Sequence, residues 1–361
     1  MSRRDIRQQP FYGQRMVPSV TEVSELAYQS ESLHTSAGIE PAEASRPRFT
    51  CYLDDCPDHL VPRRYLDTEA LTQEGDCSLV VNPDLFLSRL EDLPVGIVHP
   101  ALLDNFEPSE DMIWIAHPAT QVLQPFWLGP KLTEVVSGLM TGGSKADDLP
   151  AGIRTVLKMA GVLVKQHPSE SPALSRERTI EALATLFQEK GYAPVSGLLH
   201  PFHLAALRSY YRKLIRKGGL KLGDSQSARR YVAHNERVAR LFHHQLTSAI
   251  AAIVGEPVKP SYVYVASYQS GATLEKHTDR EQCEFSLTLC LDYSPEPGLH
   301  TPWPLQLHTA SSIVTVFQGI GDGLVYRGRD IPHSRDTLPR GHTSTSMFFH
   351  YVPADFQGPL D

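Results

Sequence analysis

The chain has 361 residues, with 41 acidic and 34 basic side chains, a formal charge of -7 and 41% hydrophobic residues. This length predicts one large domain with an extension, or two domains. The composition lacks the basic excess that binding to phosphate backbones demands, so we expect no nucleic-acid partner.

The first residues, 1–48, are rich in Ser, Glu, Gln, Arg and Pro and show no sustained hydrophobic period. Such a segment buries too little apolar surface to offset the entropy of ordering, so we expect a flexible arm. From residue 49 the composition becomes globular, with aromatic residues in "MIWIAH" and "QPFWLGP". Residues 49–166 are therefore predicted to form a smaller α+β module.

Part of this module is predicted to be winged-helix-like. Apolar residues at helical spacing mark one helix around Val136 and another around Leu157, with the pair Gly142-Gly143 between them. The segment "AGVLVK" then predicts a strand. Basic residues are sparse here, which favours docking of a protein or peptide, or plain structural packing, over DNA binding.

A joint rich in Pro and Ser, "HPSESPALSRER" (His167 to Arg178), is the predicted boundary. Helices are expected in "TIEALATLFQEKG", in "PFHLAALRSYYRKLIRKG" and from Arg230 to Gly255, with the short apolar "YAPVSGLL" between the first two. After Pro260 the pattern changes to period two. The segments "SYVYVASY", "FSLTLCLDY", "PLQLH", "SSIVTVF", "GLVYRG" and "TSMFFHYV" predict a compact antiparallel β domain that follows the helices.

Two good metal ligands, His277 and Asp279, stand two residues apart. In an extended chain both side chains project from the same side and can meet one ion. His333 in "RDIPHSRD" lies several strands later, as expected if a barrel wall brings distant strand ends together. Two imidazoles and one carboxylate on one face leave positions open on Fe(II), which an oxygenase needs for a co-substrate and O₂.

The surrounding motifs strengthen this hypothesis. "YQSGATLEKHTD" and "GDGLVYRGRDIPH" occur in that order. Their motif residues are Tyr268, Gly271, His277, Asp279, Gly321, Asp322, Tyr326 and His333. With these motifs, about residues 178 to 352 resemble the 2-oxoglutarate- and Fe(II)-dependent oxygenases, in particular their prolyl hydroxylase-like and phytanoyl hydroxylase-like branches.

The resemblance implies an α+β chain whose catalytic domain, residues 178–361, is a double-stranded β-helix (jelly-roll, cupin-like) with flanking helices, behind the smaller α+β module. It implies that His277, Asp279 and His333 are the catalytic metal ligands and that the cofactor is Fe(II). It also implies 2-oxoglutarate and O₂ as co-substrates, with release of succinate and CO₂ and hydroxylation of an unactivated C–H bond.

One departure from the family concerns the distal carboxylate of 2-oxoglutarate. Thr343 occupies the position at which prolyl and lysyl hydroxylases carry a Lys or Arg, and a buried carboxylate without a partner is costly. Arg340 is the first substitute that the sequence offers and Arg335 the second, with the Thr343 hydroxyl beside them. Tyr268, by its matched position, is expected to face the co-substrate.

Substrate contacts are predicted at Arg280 and Arg329, which could hold a substrate carboxylate, and at Trp303, which could border the pocket. Each also has an ordinary structural interpretation, and so do Tyr262 and Tyr264, which share a strand face with Tyr268. The remaining histidines are expected to be structural or exposed; they include His243, His244, His308, His342 and His350.

The extra module suggests a large substrate, a peptide or protein side chain, whereas a free amino acid or other small metabolite is the main alternative. A catalytically silent β-helix protein that binds or senses a ligand, and a cupin-like enzyme that uses Fe without 2-oxoglutarate, also stay open. The oligomeric state is not indicated by the sequence.

Five scattered cysteines without paired C-x-x-C spacing, together with the lack of an apolar leader, predict a reduced, cytoplasmic protein. Cys283 and Cys290, on the strand after the first ligands, are expected to be buried. No apolar run approaches the roughly 20 residues that a membrane helix needs, so no membrane partner is expected.

Overall fold

The computed structural model describes residues 47–55, 58–65, 78–93, 98–117, 123–166 and 172–361. Nearly all of the predicted arm, and also Cys56 and Cys77, lie outside the described residues. None of the helices in these ranges is both long and apolar enough to cross a membrane.

The first part of the described chain is small and mixed in structure. Its strands are β1 (Leu79–Val81), β2 (Phe86–Ser88), β3 (Met112–Ala116), β4 (Leu123–Trp127) and β5 (Leu163–Lys165), and its helices are α1 (Pro130–Thr141) and α2 (Ala151–Met159). Strands β2, β3 and β4 form one antiparallel sheet, and β1 pairs with β5. Helix α1 begins at a proline and ends at Gly142, whose left-handed backbone (φ 75°) suits glycine. The predicted order of helix, turn, helix and strand is therefore present.

The second part has three helices and eleven strands. They are α3 (Pro172–Lys190), β6 (Tyr192–Val195), α4 (Pro201–Arg216), β7 (Lys221–Leu222), β8 (Arg230–His234), α5 (Arg237–Val254), β9 (Val258–Tyr268), β10 (Leu274–His277), β11 (Phe285–Ser294), β12 (Leu305–His308), β13 (Ile313–Val316), β14 (Gly323–Arg327), β15 (His333–Arg335) and β16 (Thr343–Pro353). Both parts of the described chain also contain short 3-10 turns. Those of the first part are Asp58–Leu60, Arg63–Tyr65, Leu90–Asp92, Pro100–Leu102 and Ala146–Asp148, and that of the second part is Glu281–Cys283.

Two antiparallel sheets dominate this part. A seven-stranded sheet has the order β6-β14-β11-β16-β9-β8-β7, and a four-stranded sheet has the order β10-β15-β12-β13. Alternate residues of the longer sheet, such as Leu289 and Phe349, pack in one apolar core with residues of α4 and α5. The residues between them face the shorter sheet: Tyr268 clusters with Trp303, and Tyr326 with Leu305. Helices thus cover one face of the long sheet, and a second interior, lined by aromatic and apolar residues, lies between the two sheets.

The sequence prediction was wrong for the start of the helix from Arg230 to Gly255. Residues Arg230–His234 form strand β8, which pairs with β9, and α5 begins only at Arg237. Asn235 has a left-handed backbone (φ 47°), and the Glu236 carboxylate accepts from two backbone N–H groups of the first turn. This turn separates β8 from α5, whereas the apolar spacing in the sequence continues across it without a break.

The predicted joint from His167 to Arg178 is also shorter than expected, because α3 begins at Pro172. A proline suits the first turn of a helix, where its missing N–H costs nothing.

The two parts of the chain share one apolar core. Phe49 lies edge-to-face with Tyr210 of α4 and Phe242 of α5, at 5.9 Å and 6.1 Å between ring centroids. Phe126 of β4 lies 4.4 Å from the ring of His203. The described residues of the first part are thus packed against the helices that support the long sheet.

Candidate metal centre and cavity

Strand pairing brings His277, Asp279 and His333 together. His277 ends β10, and its register partner on β15 is His333. The Nε2 atoms of His277 and His333 lie 3.8 Å and 3.6 Å from Asp279 Oδ1, and one ligand atom from each residue lies within 4.8 Å of the other two. The three residues that the sequence motifs single out therefore converge on one point.

Both imidazoles are oriented by backbone carbonyls. His277 Nδ1 lies 2.8 Å from the carbonyl oxygen of Glu275, and His333 Nδ1 lies 3.1 Å from that of Ile331. A carbonyl can only accept, so each Nδ1 donates its proton and each Nε2 keeps a lone pair. Burial lowers the pKa of His333, which keeps its imidazole neutral. Such orientation by an outer hydrogen bond is typical of metal-ligating histidines.

The donor set fits a divalent transition metal. Two ligand atoms that each lie about 2.1 Å from an ion, with a right angle between the two bonds, are about 3 Å apart. The distances from Asp279 Oδ1 to the two histidine Nε2 atoms are slightly longer than this. The ligand set typical of non-haem Fe(II) oxygenases consists of two imidazoles and one carboxylate, with open positions on the other side of the ion. Here the three candidate ligands lie beside a cavity.

The three residues line a cavity of about 360 Å³ between the two sheets. One wall consists of inward residues of β9 and β16, including Tyr262, Tyr268, Phe348 and His350. Leu305 of β12 and the two ligand histidines lie on the opposite wall. Its size is at the lower end of the roughly 300–1,000 Å³ found for small-molecule sites.

Arg335 follows His333 by two residues on β15, so both side chains point into the interior. It is 5% exposed, and its guanidinium donates to the carbonyl oxygen of Trp303 at 2.6 Å and to Gln318 Oε1 at 3.0 Å. It also lies over the Trp303 ring, 4.7 Å from the centroid. No carboxylate of the described residues lies within ion-pair distance, and burial lowers the pKa of Arg335. The interior thus contains a buried cation whose protein partners are all neutral.

Tyr268 lines the cavity and is 1% exposed. Its hydroxyl accepts from Arg230 Nη1 at 2.8 Å, and Arg230 is itself held by Asp224 Oδ2 at 2.9 Å from Nε. The Asp224 carboxylate also accepts from Tyr264 at 2.6 Å. Because the Tyr268 oxygen accepts from Arg230, its own proton is free to be donated into the cavity.

The other predicted site residues lie in varied places. Arg280 is exposed and lines the cavity with its guanidinium 4.9 Å from the Tyr262 centroid. Arg340 is exposed and Thr343 is half-buried, and neither of these two residues nor the buried Arg335 directly lines the cavity. Arg329 pairs with Glu284 at 2.8 Å on the surface. Trp303 is buried behind the cavity wall, its ring 5.0 Å from that of Tyr268.

Three residues of the cavity region are not among the site residues that the sequence predicts: Ser286, His350 and Arg230. His350 was expected to be structural or exposed, yet it lines the cavity. Side chains alternate between the two faces of a strand, so His350 lies on the same face of β16 as Phe348. This alternation is the sequence feature that indicates its position. No comparable signal existed for Arg230, because its segment was read as helix.

Comparisons with known proteins give a consistent likeness. No protein-family model matches the chain, and no curated protein matches its sequence. Among solved structures, it is similar to a Pseudomonas putida prolyl-4-hydroxylase, with 17% identity over 48% of this chain and 98% of that chain (TM-score 0.41).

Two further structures have a similar extent of likeness. An oxidoreductase of the 2OG-Fe(II) oxygenase family from Burkholderia pseudomallei shares 12% identity over 48% of this chain and 89% of that chain (TM-score 0.39). HygX from Streptomyces hygroscopicus, solved with nickel and 2-oxoglutarate bound, shares 15% identity over 48% of this chain and 87% of that chain (TM-score 0.39).

Proposed function

We propose that the chain is an Fe(II)- and 2-oxoglutarate-dependent dioxygenase that hydroxylates an unactivated C–H bond, on a scaffold whose two facing sheets form a double-stranded β-helix. The observation that carries this proposal is the convergence of His277, Asp279 and His333 at the wall of the cavity between the two sheets. Fe(II), when bound there, supplies the activation of O₂ and the oxidation of the substrate.

The chain's own residues prepare the site for the metal. His277 and His333 offer Nε2, because carbonyl groups hold each Nδ1, and Asp279 offers one negative charge. These three residues would hold the ion from one side and would leave its cavity side to co-substrate, O₂ and substrate. Tyr262, Tyr268 and Phe348 give this space an aromatic wall.

Arg335 supports 2-oxoglutarate as the co-substrate. An unpaired buried charge is costly, and a carboxylate that enters beside Arg335 offsets that cost. Two residues of strand, about 7 Å between the Cα atoms, separate Arg335 from His333, which is comparable with the length of a five-carbon diacid. We therefore propose Arg335 as the partner of the distal carboxylate, in preference to the exposed Arg340.

The substrate is proposed to be a compact molecule with an anionic group. The cavity has room for a small ligand or a single side chain, and the Arg280 guanidinium at its wall makes no ion pair with a described residue. The amino-terminal module suggested a peptide substrate, but its described residues pack in the same apolar core as α4 and α5. That packing favours a structural role for the module and a small substrate over a peptide.

Titration of 2-oxoglutarate into the anaerobic Fe(II)-loaded full chain tests the reaction class. Chelation of Fe(II) by the keto and carboxylate oxygens gives a visible metal-to-ligand charge-transfer band, which we expect to saturate with one equivalent of 2-oxoglutarate. The Asp279→Ala variant serves as the control without a band. Fe(II) binding without any band would instead favour a cupin-like enzyme, and failure to bind Fe(II) would favour a silent binding protein.

A further inference from the structure

The two oxygens of Asp279 have different surroundings. Oδ1 is the oxygen that lies 3.8 Å and 3.6 Å from the ligand atoms of His277 and His333. Oδ2 accepts a hydrogen bond from the Ser286 hydroxyl at 2.8 Å. The Asp279 backbone N–H is fixed as well, donating to the carbonyl oxygen of Gly328 at 2.9 Å. One carboxylate oxygen is thus presented to the metal position while the other is engaged by protein.

The Ser286 hydroxyl also contacts a fourth histidine. Ser286 Oγ lies 2.9 Å from His350 Nδ1. A hydroxyl has one proton, and an ionised carboxylate can only accept, so that proton is donated to Asp279. The bond to His350 must therefore run from Nδ1–H to the serine oxygen. This assigns the His350 tautomer and leaves the lone pair on Nε2.

The packing around this chain of hydrogen bonds is close. Ser286 and His350 are register partners on β11 and β16, and they are 1% and 6% exposed. A Cβ on Gly328 would collide with Asp279 Oδ2 and would lie 2.6 Å from Ser286 Oγ. Only glycine leaves enough room there for the serine to reach the carboxylate. Burial lowers the pKa of His350 to about 4, so its ring is neutral at pH 7.

We propose that Ser286 and His350 are positioning residues of the metal centre, which hold Asp279 as a ligand through Oδ1 alone. Ser286 occupies Oδ2 directly, and His350 acts through Ser286 by fixing the direction of its proton. As a consequence, His350 Nε2 carries a lone pair and can accept a hydrogen bond. His350 lines the cavity, so the donor would be an O–H or N–H group of a bound molecule. This inference rests on the metal site proposed above and concerns Ser286 and His350, which support a ligand without being ligands themselves.

The test is anaerobic titration of the full chain with Co(II) alone, whose visible spectrum reports the number and type of ligands. Ser286→Ala frees Oδ2 and should weaken Co(II) binding by about 10- to 100-fold, the range found for outer-shell partners of metal ligands, with a change in the spectrum. Ser286→Thr keeps the hydroxyl and should restore both the affinity and the spectrum. His350→Phe should weaken binding less than Ser286→Ala does.

The matched control is Ser334→Ala. The Ser334 hydroxyl lies beside His333 in sequence but bonds to Gln306 and His308, and neither of these lines the cavity. Wild-type affinity and spectrum in Ser286→Ala would overturn the proposal. Should that variant fail to fold by circular dichroism, unchanged Co(II) binding in His350→Phe would overturn it instead. Lack of Co(II) binding by the wild-type chain would count against the proposed function itself, and the two failures are therefore distinguishable.

Discussion

His277 and His333 face each other across two antiparallel strands as register partners, with their ring centroids 4.4 Å apart. Neither strand is long: β10 has four residues and β15 has three. The candidate metal position therefore depends on the pairing of these two short strands, and Asp279 contributes to it from the turn that follows β10.

The first prediction concerns this pair. His333→Ala removes one of three ligands and should weaken Fe(II) binding by at least the roughly 10- to 100-fold that outer-shell changes cause. Substrate-dependent succinate formation should be lost as well. Anaerobic Fe(II) titration checks the first effect, and His308→Ala is the control, because His308 bonds to Ser334 away from the cavity. Wild-type Fe(II) affinity in His333→Ala would show that this histidine is no ligand.

The second prediction distinguishes Arg335, the last residue of β15, from Arg340 in the segment that follows that strand. Arg335→Gln removes the buried charge but retains donors for Trp303 and Gln318, whereas Arg340→Gln alters an exposed residue. A charge-assisted hydrogen bond contributes about 1.5–3 kcal/mol, so the 2-oxoglutarate dissociation constant should rise about 10- to 100-fold in Arg335→Gln and stay unchanged in Arg340→Gln. The charge-transfer band measures both. The reverse order of effects would restore Arg340 as the co-substrate residue.

The third prediction is a loss of stability in mild acid. His203 is fully buried, with Nε2 donating to the carbonyl oxygen of Pro125 at 2.7 Å. Burial lowers the pKa of His203 to about 3 and that of His200 to about 4, whereas both titrate near about 6.5 in an unfolded chain. The unfolded chain therefore binds more protons between these values. The free energy of unfolding should be highest above about pH 6.5 and fall by about 1.4 kcal/mol per pH unit for each such histidine below it.

Urea unfolding at pH 7 and pH 5 checks this dependence. His203→Gln keeps a donor for Pro125 but does not titrate, so the difference in unfolding free energy between the two pH values should shrink. An equal pH dependence in the variant and the wild-type chain would mean that His203 is not buried in its neutral form.

The fourth prediction concerns the link between the amino-terminal part and α4. The Arg208 side chain is 1% exposed, donates to Asp292 Oδ1 at 2.9 Å and to Glu296 Oε2 at 3.1 Å, and also donates to the carbonyl oxygen of Leu60. Arg208→Met removes the donor to the Leu60 carbonyl oxygen and to Glu296 Oε2, although Asp292 retains Arg212 at 2.6 Å. We expect a decrease of about 2–4 kcal/mol in the free energy of unfolding, measured in urea.

The control for this change lies on the same helix. Arg216 is exposed at the end of α4, so Arg216→Met should alter the unfolding free energy by no more than about 0.5 kcal/mol. Similar losses in the two variants would indicate a general effect of charge on α4 instead of the buried network.

Much of the architecture was predictable because it depends on local periodicity. The period-two segments after Pro260 all became strands, and the helices around Val136, Leu157 and Leu207 are present. Periodicity failed from Arg230 to His234, where an apolar pattern compatible with a helix belongs to a strand that pairs with β9. Strand pairing is a long-range interaction, which a local pattern does not report.

The sequence by itself determined the three candidate metal ligands, because the H-x-D spacing and the motif around His333 are local. Only the tertiary structure decided which arginine is buried between the two sheets and which residues form hydrogen bonds to the candidate ligands. Arg335 and Arg340 are near neighbours in sequence, yet one is buried between two sheets and the other is exposed. Ser286 contacts both Asp279 and His350, and the contact with His350 depends on the pairing of β11 with β16, two strands that lie far apart in sequence.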